Sequence, residues 1–180
     1  MIARARTSWF LPSDAILFGA LFGVYLTLRA GAAEPWRPFV AHRELAIVNT
    51  TALLGVGAAM AMATQFARRR EIRRCRGWML GAVGLAAIFC LITPIEYFDF
   101  HELGLFPSKS AHYAAFFVLT GVLLLHVFLG AIVNLRLLVT STAAWVSEAP
   151  AVIRRVEAAA RYWYFVDAVW LILFVLLYVA

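Results

Sequence analysis

Five stretches of about 20 residues, each strongly apolar and nearly free of charge, dominate the chain: approximately 11–30, 46–67, 77–98, 112–139 and 159–180. A hydrocarbon layer of roughly 30 Å is crossed by about 20 such residues at 1.5 Å each. No water reaches the backbone there, so every stretch has to satisfy its own N–H and C=O groups as an α-helix. Composition agrees: 64% of the 180 residues are hydrophobic and 14% charged, more apolar surface than a soluble core of this size can enclose. The connections are short. The predicted fold class is all-α, an integral membrane bundle of five transmembrane helices forming a single domain over residues 1–180. The first run is too long for the apolar part of a signal peptide, and "LRAGAAEPWRP" after it reads as a helix stop, so it counts as mature structure.

Where the charges lie decides between a membrane and a nucleic acid as the reason for a net charge of +6. With five spans, the N-terminus, the second loop and the fourth loop share a face. That face holds Arg4 and Arg6, the six arginines of "RRREIRRCR", and Arg136, Arg154, Arg155 and Arg161, twelve in all, against Arg29, Arg37, Arg43 and Lys109 on the other. The positive-inside rule then predicts a cytoplasmic N-terminus and an outside C-terminus. A juxtamembrane basic loop meets anionic headgroups, and no nucleic-acid partner is expected. Cys75 and Cys90 lie about 22 Å apart along one helix, too far to bridge, and read as small packing residues.

Few polar side chains interrupt the spans. In the first, Pro12 suits a first turn, Ser13 suits a cap, and Gly19 and Gly23 offer a face for close helix approach. Asp14 sits about one turn inside. Either the helix dipole and headgroup water stabilise it there, or it is a functional buried carboxyl of the kind that proton paths use. The second span, rich in Gly and Ala with Asn49, Thr50 and Thr51 near its outer end, reads as an interior packing helix, with Met60 and Met62 as gap fillers. Glu96, Asp99, His101 and Glu102 close the third span; with the helix ending there and His101 in a loop, they read as a solvated belt with aromatic anchors Tyr97, Phe98 and Phe100, not a metal site. His126 and Asp167 fall at similar middle depth in the fourth and fifth spans. A neutral imidazole donating to Asp167, or to a backbone carbonyl, would relieve the cost of a polar group in hydrocarbon; a proton relay or ligand contact is the alternative.

The four histidines, His42, His101, His112 and His126, include one deep in a span. A membrane haem needs two facing axial ligands and a haem-copper centre needs more. No phosphate-binding loop, haem-attachment motif or serine elbow is present in the sequence. The chain is therefore expected to hold no catalytic residues, metal or cofactor-binding site of its own.

Motifs along nearly the whole chain resemble subunit III of haem-copper respiratory oxidases, the cytochrome c oxidase subunit III family, in its short five-helix form. The family pattern FF-x-x-T-G-x-H-x-x-H-V-x-x-G stands here as Phe116, Phe117, Thr120, Gly121, His126, Val127 and Gly130, with Leu123 in place of the earlier histidine. The last span is similar to R-Y-W-H-F-V-D-x-V-W-L, from Arg161 to Leu171, with Tyr164 at the histidine. "NTTALL" and "IEYF" match the second and third helices, Thr93 replacing the usual glutamine. Ser13, Phe18, Phe22, Tyr25 and Arg29 fit the first helix, where Asp14 takes the place of the family's carbodiimide-reactive glutamate.

The resemblance implies a supporting subunit without its own redox centre, with haem and copper in partner subunits. It implies docking beside subunit I and other oxidase subunits, phospholipid held in a cleft, and help with stability and proton uptake in a respiratory chain of the bacterial inner membrane. By position, Asp14 becomes a proton-uptake candidate, and Glu96, His126 and Asp167 become intramembrane polar or lipid contacts. An accessory protein of nitric oxide reductase shares the five-helix form, and a stand-alone transporter or assembly factor is the reading from another class.

Overall fold

The computed structural model describes residues 10–39, 43–140 and 142–179; Arg4, Arg6 and His42 lie outside them. The described residues form α1 (Phe10–Ala30), α2 (Arg43–Arg68), α3 (Ile72–Glu102), α4 (Ala111–Leu138), the short α5 (Thr142–Ser147) and α6 (Ala149–Phe174), which ends in a π turn, Val175–Val179. Five of these helices are long and apolar enough to cross a membrane. Around the bundle, α3 lies between α2 and α4, α6 closes against both, and α1 rests outside against α4 and α6. One end of the bundle carries the α2–α3 turn with its arginines and the α4–α6 connection; the other carries the remaining turns.

The helices outrun the apolar runs. The third reaches from Ile72 to Glu102 instead of 77–98, and the last begins at Ala149 instead of 159. Hydropathy marks where apolar residues are dense, whereas a helix continues wherever one face is buried. Val152, Val156, Ala159 and Ala160 supply that face, with Arg154, Arg155 and Arg161 exposed around it. Because α3 continues, His101 belongs to its last turn and not to a loop. In α1, helix is already formed at Phe10, so Pro12 lies near its start but Ser13 is inside it and is not its cap.

Two helices end on the same device. Glu71 N–H bonds Phe66 O at 2.9 Å and Arg70 N–H bonds Ala67 O at 3.0 Å, the paired bonds of a Schellman cap with Arg70 left-handed at φ 59°. Leu105 N–H to Phe100 O (2.8 Å) and Gly104 N–H to His101 O (2.9 Å) repeat the pattern after α3. Ser110 caps α4, its side chain accepting from Tyr113 N–H.

With lipid as solvent, helices gain from tight packing and not from hiding apolar surface. Accordingly Ala46, Ala52, Ala59, Ala63 and Ala67 of α2 are buried, as expected of an interior packing helix. The two largest fully buried rings, Trp163 and Trp170, sit on the partner, α6. Gly130 of α4 is a required gap: a Cβ there would lie 2.8 Å from Tyr162 Cε1 and 2.9 Å from Trp163 Cζ2. Gly19 and Gly23, read from sequence as a close-approach face, are open: a Cβ at either would meet no neighbouring described atom within 4 Å. Instead, α1 turns Asp14, Phe18 and Tyr25 inward.

At the end away from the arginines, the last carbonyls of α6 lack helical donors and other elements supply them. Tyr25 O–H donates to Leu176 O at 2.8 Å, and Phe39 N–H donates to Leu177 O at 2.9 Å. Replacing Gly130 by leucine should force α4 and α6 apart and destabilise the bundle by about 1–3 kcal/mol, measured as the unfolding equilibrium in detergent micelles; an unchanged equilibrium would contradict the packing described.

Candidate functional site

His126 anchors the polar interior. Its Nδ1 lies 2.7 Å from Val122 O, one turn back on α4. A carbonyl only accepts, so Nδ1 carries a proton and Nε2 is left facing outward from its own helix. There it meets Asp14 Oδ1 of α1 at 3.5 Å. With Nδ1 committed, the pair is net neutral when one further proton is held between the two groups, either as carboxylic acid beside imidazole or as carboxylate beside imidazolium. Loss of that proton would leave a bare negative charge in hydrocarbon.

Aromatic side chains pack against the pair. Phe18, one turn beyond Asp14, lies edge-on to the imidazole with centroids 5.1 Å apart, and Phe165 of α6 packs on Phe18 at 6.0 Å. Tyr162 O–H donates to the His126 carbonyl at 2.8 Å, crossing α4 through the space that Gly130 leaves open. Asp14 is 7% exposed, as is His126, and Asp14 Oδ2 has no partner among the described residues. Since His126 is twelve residues from the end of α4 at Leu138, about 18 Å at 1.5 Å per residue, Asp14 stands level with the middle of α4.

Asp167 does match His126 in depth, because each lies four residues from the Gly130–Trp163 contact on its own helix. Its direction differs. The carboxyl lies over Gly57 of α2, where a Cβ would overlap Oδ2, and Oδ1 has no partner among the described residues. Spacing along a helix sets the level of each group but not its azimuth, so the direct His126–Asp167 bond is replaced by the Val122 carbonyl and Asp14.

Glu96 also departs from expectation. Instead of joining a solvated belt it is 1% exposed, accepting a hydrogen bond from Tyr178 O–H at 2.8 Å. The π turn carries Tyr178 to it. Tyr97 is half-buried and shares a 2.7 Å hydrogen bond with Thr120, and Phe100 is core; Phe98, 63% exposed, is the one of the three expected anchors that faces outward. Asn49 Nδ2 reaches Thr93 Oγ1 at 3.5 Å, and Trp170 Nε1 donates to Thr50 at 2.9 Å. Asn134 Nδ2 donates to Met60 sulfur at 3.3 Å, a contact no sequence pattern signalled.

The described histidines are separated. His101 packs on Phe106, His112 between Trp36 and Phe39, and His126 on Asp14. Among the described residues no group of three His, Cys, Asp or Glu is arranged to hold a metal. An apolar groove of about 220 Å³ runs between α1 and α4, walled by Leu21, Val24 and Leu28 on one side and Ala111, Ala114 and Ala115 on the other. Above it Arg29, Trp36 and Pro35 line a second hollow of about 390 Å³.

A family model described as cytochrome c oxidase subunit III matches residues 6–180. The chain belongs to that family. It is 32% identical over 177 residues to "Cytochrome c oxidase subunit 3" of Thermostichus vulcanus, covering 94% of this chain and 83% of that one. It is 30% identical over 173 residues to the protein of the same description from Corynebacterium diphtheriae, with the same coverage. A Synechocystis relative is 32% identical, over 94% of this chain and 72% of its own. This subunit III homologue is thus a multi-pass membrane protein related to bacterial respiratory-chain subunits. Several of its motif residues meet between helices: Tyr97 with Thr120, Thr50 with Trp170, Gly130 with Trp163, and Tyr25 with the end of α6, while Asn49 reaches Thr93, which stands in place of the motif's glutamine.

If Asp14 and His126 stabilise one another, Asp14→Ala and His126→Ala combined in a double-mutant cycle should show a favourable coupling of about 0.5–1.5 kcal/mol, the scale of interhelical polar contacts in membranes. Unfolding in micelles measures it. A coupling near zero would mean that the two side chains are neighbours without interaction.

Proposed function

We propose that this chain is a non-catalytic subunit of a haem-copper terminal oxidase in the aerobic respiratory chain of the bacterial inner membrane, a component of a respiratory oxidoreductase without its own redox centre. In this reading the arginine-rich end faces the cytoplasm, following the positive-inside rule, and the chain supports complex stability, lipid binding and proton uptake by the catalytic subunit. The observation that carries the proton part is the Asp14–His126 pair. It is packed by Phe18, Phe165 and Tyr162 and keeps one carboxylate oxygen without a partner among the described residues, the kind of buried carboxyl that proton paths use. The lipid part is supported by the groove between α1 and α4. Its walls are apolar along the spans, with a guanidinium at Arg29 above them, an arrangement suited to an acyl chain below a phosphate headgroup. Glu96, His126 and Asp167 serve here as intramembrane polar contacts.

The test is purification from native membranes through a tag on this chain. A co-purifying haem-copper partner that reduces O2 is the expected result; a partner that reduces NO would assign the chain to a nitric oxide reductase, and isolation as a stable unit without haem protein would indicate a transporter or assembly factor. Within the complex, Asp14→Asn should leave assembly and the haem spectrum intact while inactivation during turnover becomes several-fold faster or proton pumping falls. Unchanged behaviour in both assays removes the proton role. His126→Leu should loosen the subunit's retention and leave the haem spectrum unaltered.

A further inference from the structure

We infer that the interior between α2, α4 and α6 contains a binding site for internal water, with Asp167, Asn134 and Trp163 as the groups that hold it. The inference concerns the inside of this chain alone and stands apart from the oxidase reading above.

Three polar atoms carry it. Asp167 Oδ1, Asn134 Oδ1 and Trp163 Nε1 are each cut off from the surface and have no partner among the described residues. Asn134 and Trp163 are 0% exposed and Asp167 9%, so neither a lipid headgroup nor a side chain of another subunit reaches these atoms. Buried polar groups in folded proteins are satisfied almost without exception. Where no protein group serves, an ordered water does.

The three atoms belong to faces that converge. Each lies two bonds from an atom whose neighbour on another helix is fixed. The carboxyl carbon of Asp167 links Oδ1 to Oδ2, which lies over Gly57 of α2. The amide carbon of Asn134 links Oδ1 to Nδ2, which donates to the sulfur of Met60 on α2 at 3.3 Å. In the Trp163 indole, Cε2 links Nε1 to Cζ2, the atom that a Cβ at Gly130 of α4 would meet at 2.9 Å. Gly57 and Met60 are one turn apart on α2, Gly130 and Asn134 on α4, and Trp163 and Asp167 on α6, and residues three or four apart share a helix face. The six positions therefore close a circuit around the seam of the three helices, and every one of the three orphaned atoms is on it.

The chemistry of the set names the ligand. The two oxygens accept and the indole N–H can only donate. Water gives one hydrogen to each oxygen and takes the indole N–H on a lone pair, about three hydrogen bonds, the usual number for a buried water. A metal ion would suit the oxygens but be opposed by the N–H beside them. Water in this place solvates Asp167 inside the membrane and gives α2, α4 and α6 a common polar contact.

The test is X-ray radiolysis of the full chain, purified in detergent with whatever subunits accompany it. A short pulse splits water into hydroxyl radicals that oxidise the side chains next to it, and mass spectrometry reads the rate at each residue. Met60 and Trp163 should be oxidised several-fold faster than Met79 and Trp170. These two controls are also buried, at 1% exposed, but their polar atoms are engaged, Met79 by Cys75 Sγ and Trp170 by Thr50. Equal rates in the two pairs, whether low or high, would overturn the inference. Asn134→Leu and Asp167→Leu should each bring the Trp163 rate down to that of Trp170, whereas Asp167→Asn, which still accepts a hydrogen bond, should preserve it. A Trp163 rate unchanged in both leucine variants contradicts the site. Should a leucine variant fail to accumulate, or expose Met79 and Trp170 as well, the unsubstituted chain and Asp167→Asn decide.

Discussion

Inside a bilayer a polar side chain has no water to fall back on, and that constraint organises this bundle. Three carboxyls, two asparagines and an imidazole lie buried among the described residues of the spans. Most are arranged in pairs that join different helices: Asp14 with His126, Glu96 with Tyr178, Asn49 with Thr93, Asn134 with Met60. Each pair fixes the rotation of two helices about their axes, because turning either one would strand its partner in hydrocarbon. Packing of glycines and alanines against tryptophans allows the helices to approach; the polar pairs select which faces meet.

The two halves of the bundle use this constraint differently. Away from the arginines, Tyr25 and Phe39 tie α1 and the segment after it to the last carbonyls of α6, and the π turn brings Tyr178 to Glu96. These contacts use polar groups to complete helix ends and leave little chemistry available. At middle depth the pairs are less complete. Asp14 Oδ2 and Asp167 Oδ1 are both without a partner among the described residues. Groups of that kind are where a membrane protein keeps its capacity to move a proton or receive a partner.

Histidine geometry follows the same logic. His101, His112 and His126 are each engaged by separate aromatic or carboxylate neighbours, and the imidazole deepest in the bundle is committed through Nδ1 to its own helix. A side chain oriented in this way by its backbone is well placed to hold one proton at a defined atom. The three rings are not arranged as two facing ligands to an iron.

The five spans and the family were legible in the sequence, because apolar length and local motifs such as "FFVLTG" and "RYWYFVD" depend on residues close together in the chain. Depth was legible too: counting along two helices placed His126 and Asp167 at one level. Rotation was not. Whether position 126 faces α1 or α6 depends on the packing of Gly130 against Trp163 and of Phe18 against Phe165, contacts between residues 33 and 147 positions apart. The burial of Glu96 depended likewise on a π turn whose Tyr178 lies 82 residues later, which hydropathy reads as more of the same helix. Sequence alone determined that this chain carries five helices long and apolar enough to cross a membrane and to which family it belongs, since each rests on local patterns. Only the tertiary structure decided which carboxyl meets the histidine and which lies over a glycine, because in a bundle the neighbours of a side chain are set by helix rotation, and rotation is a property of all the packed faces together.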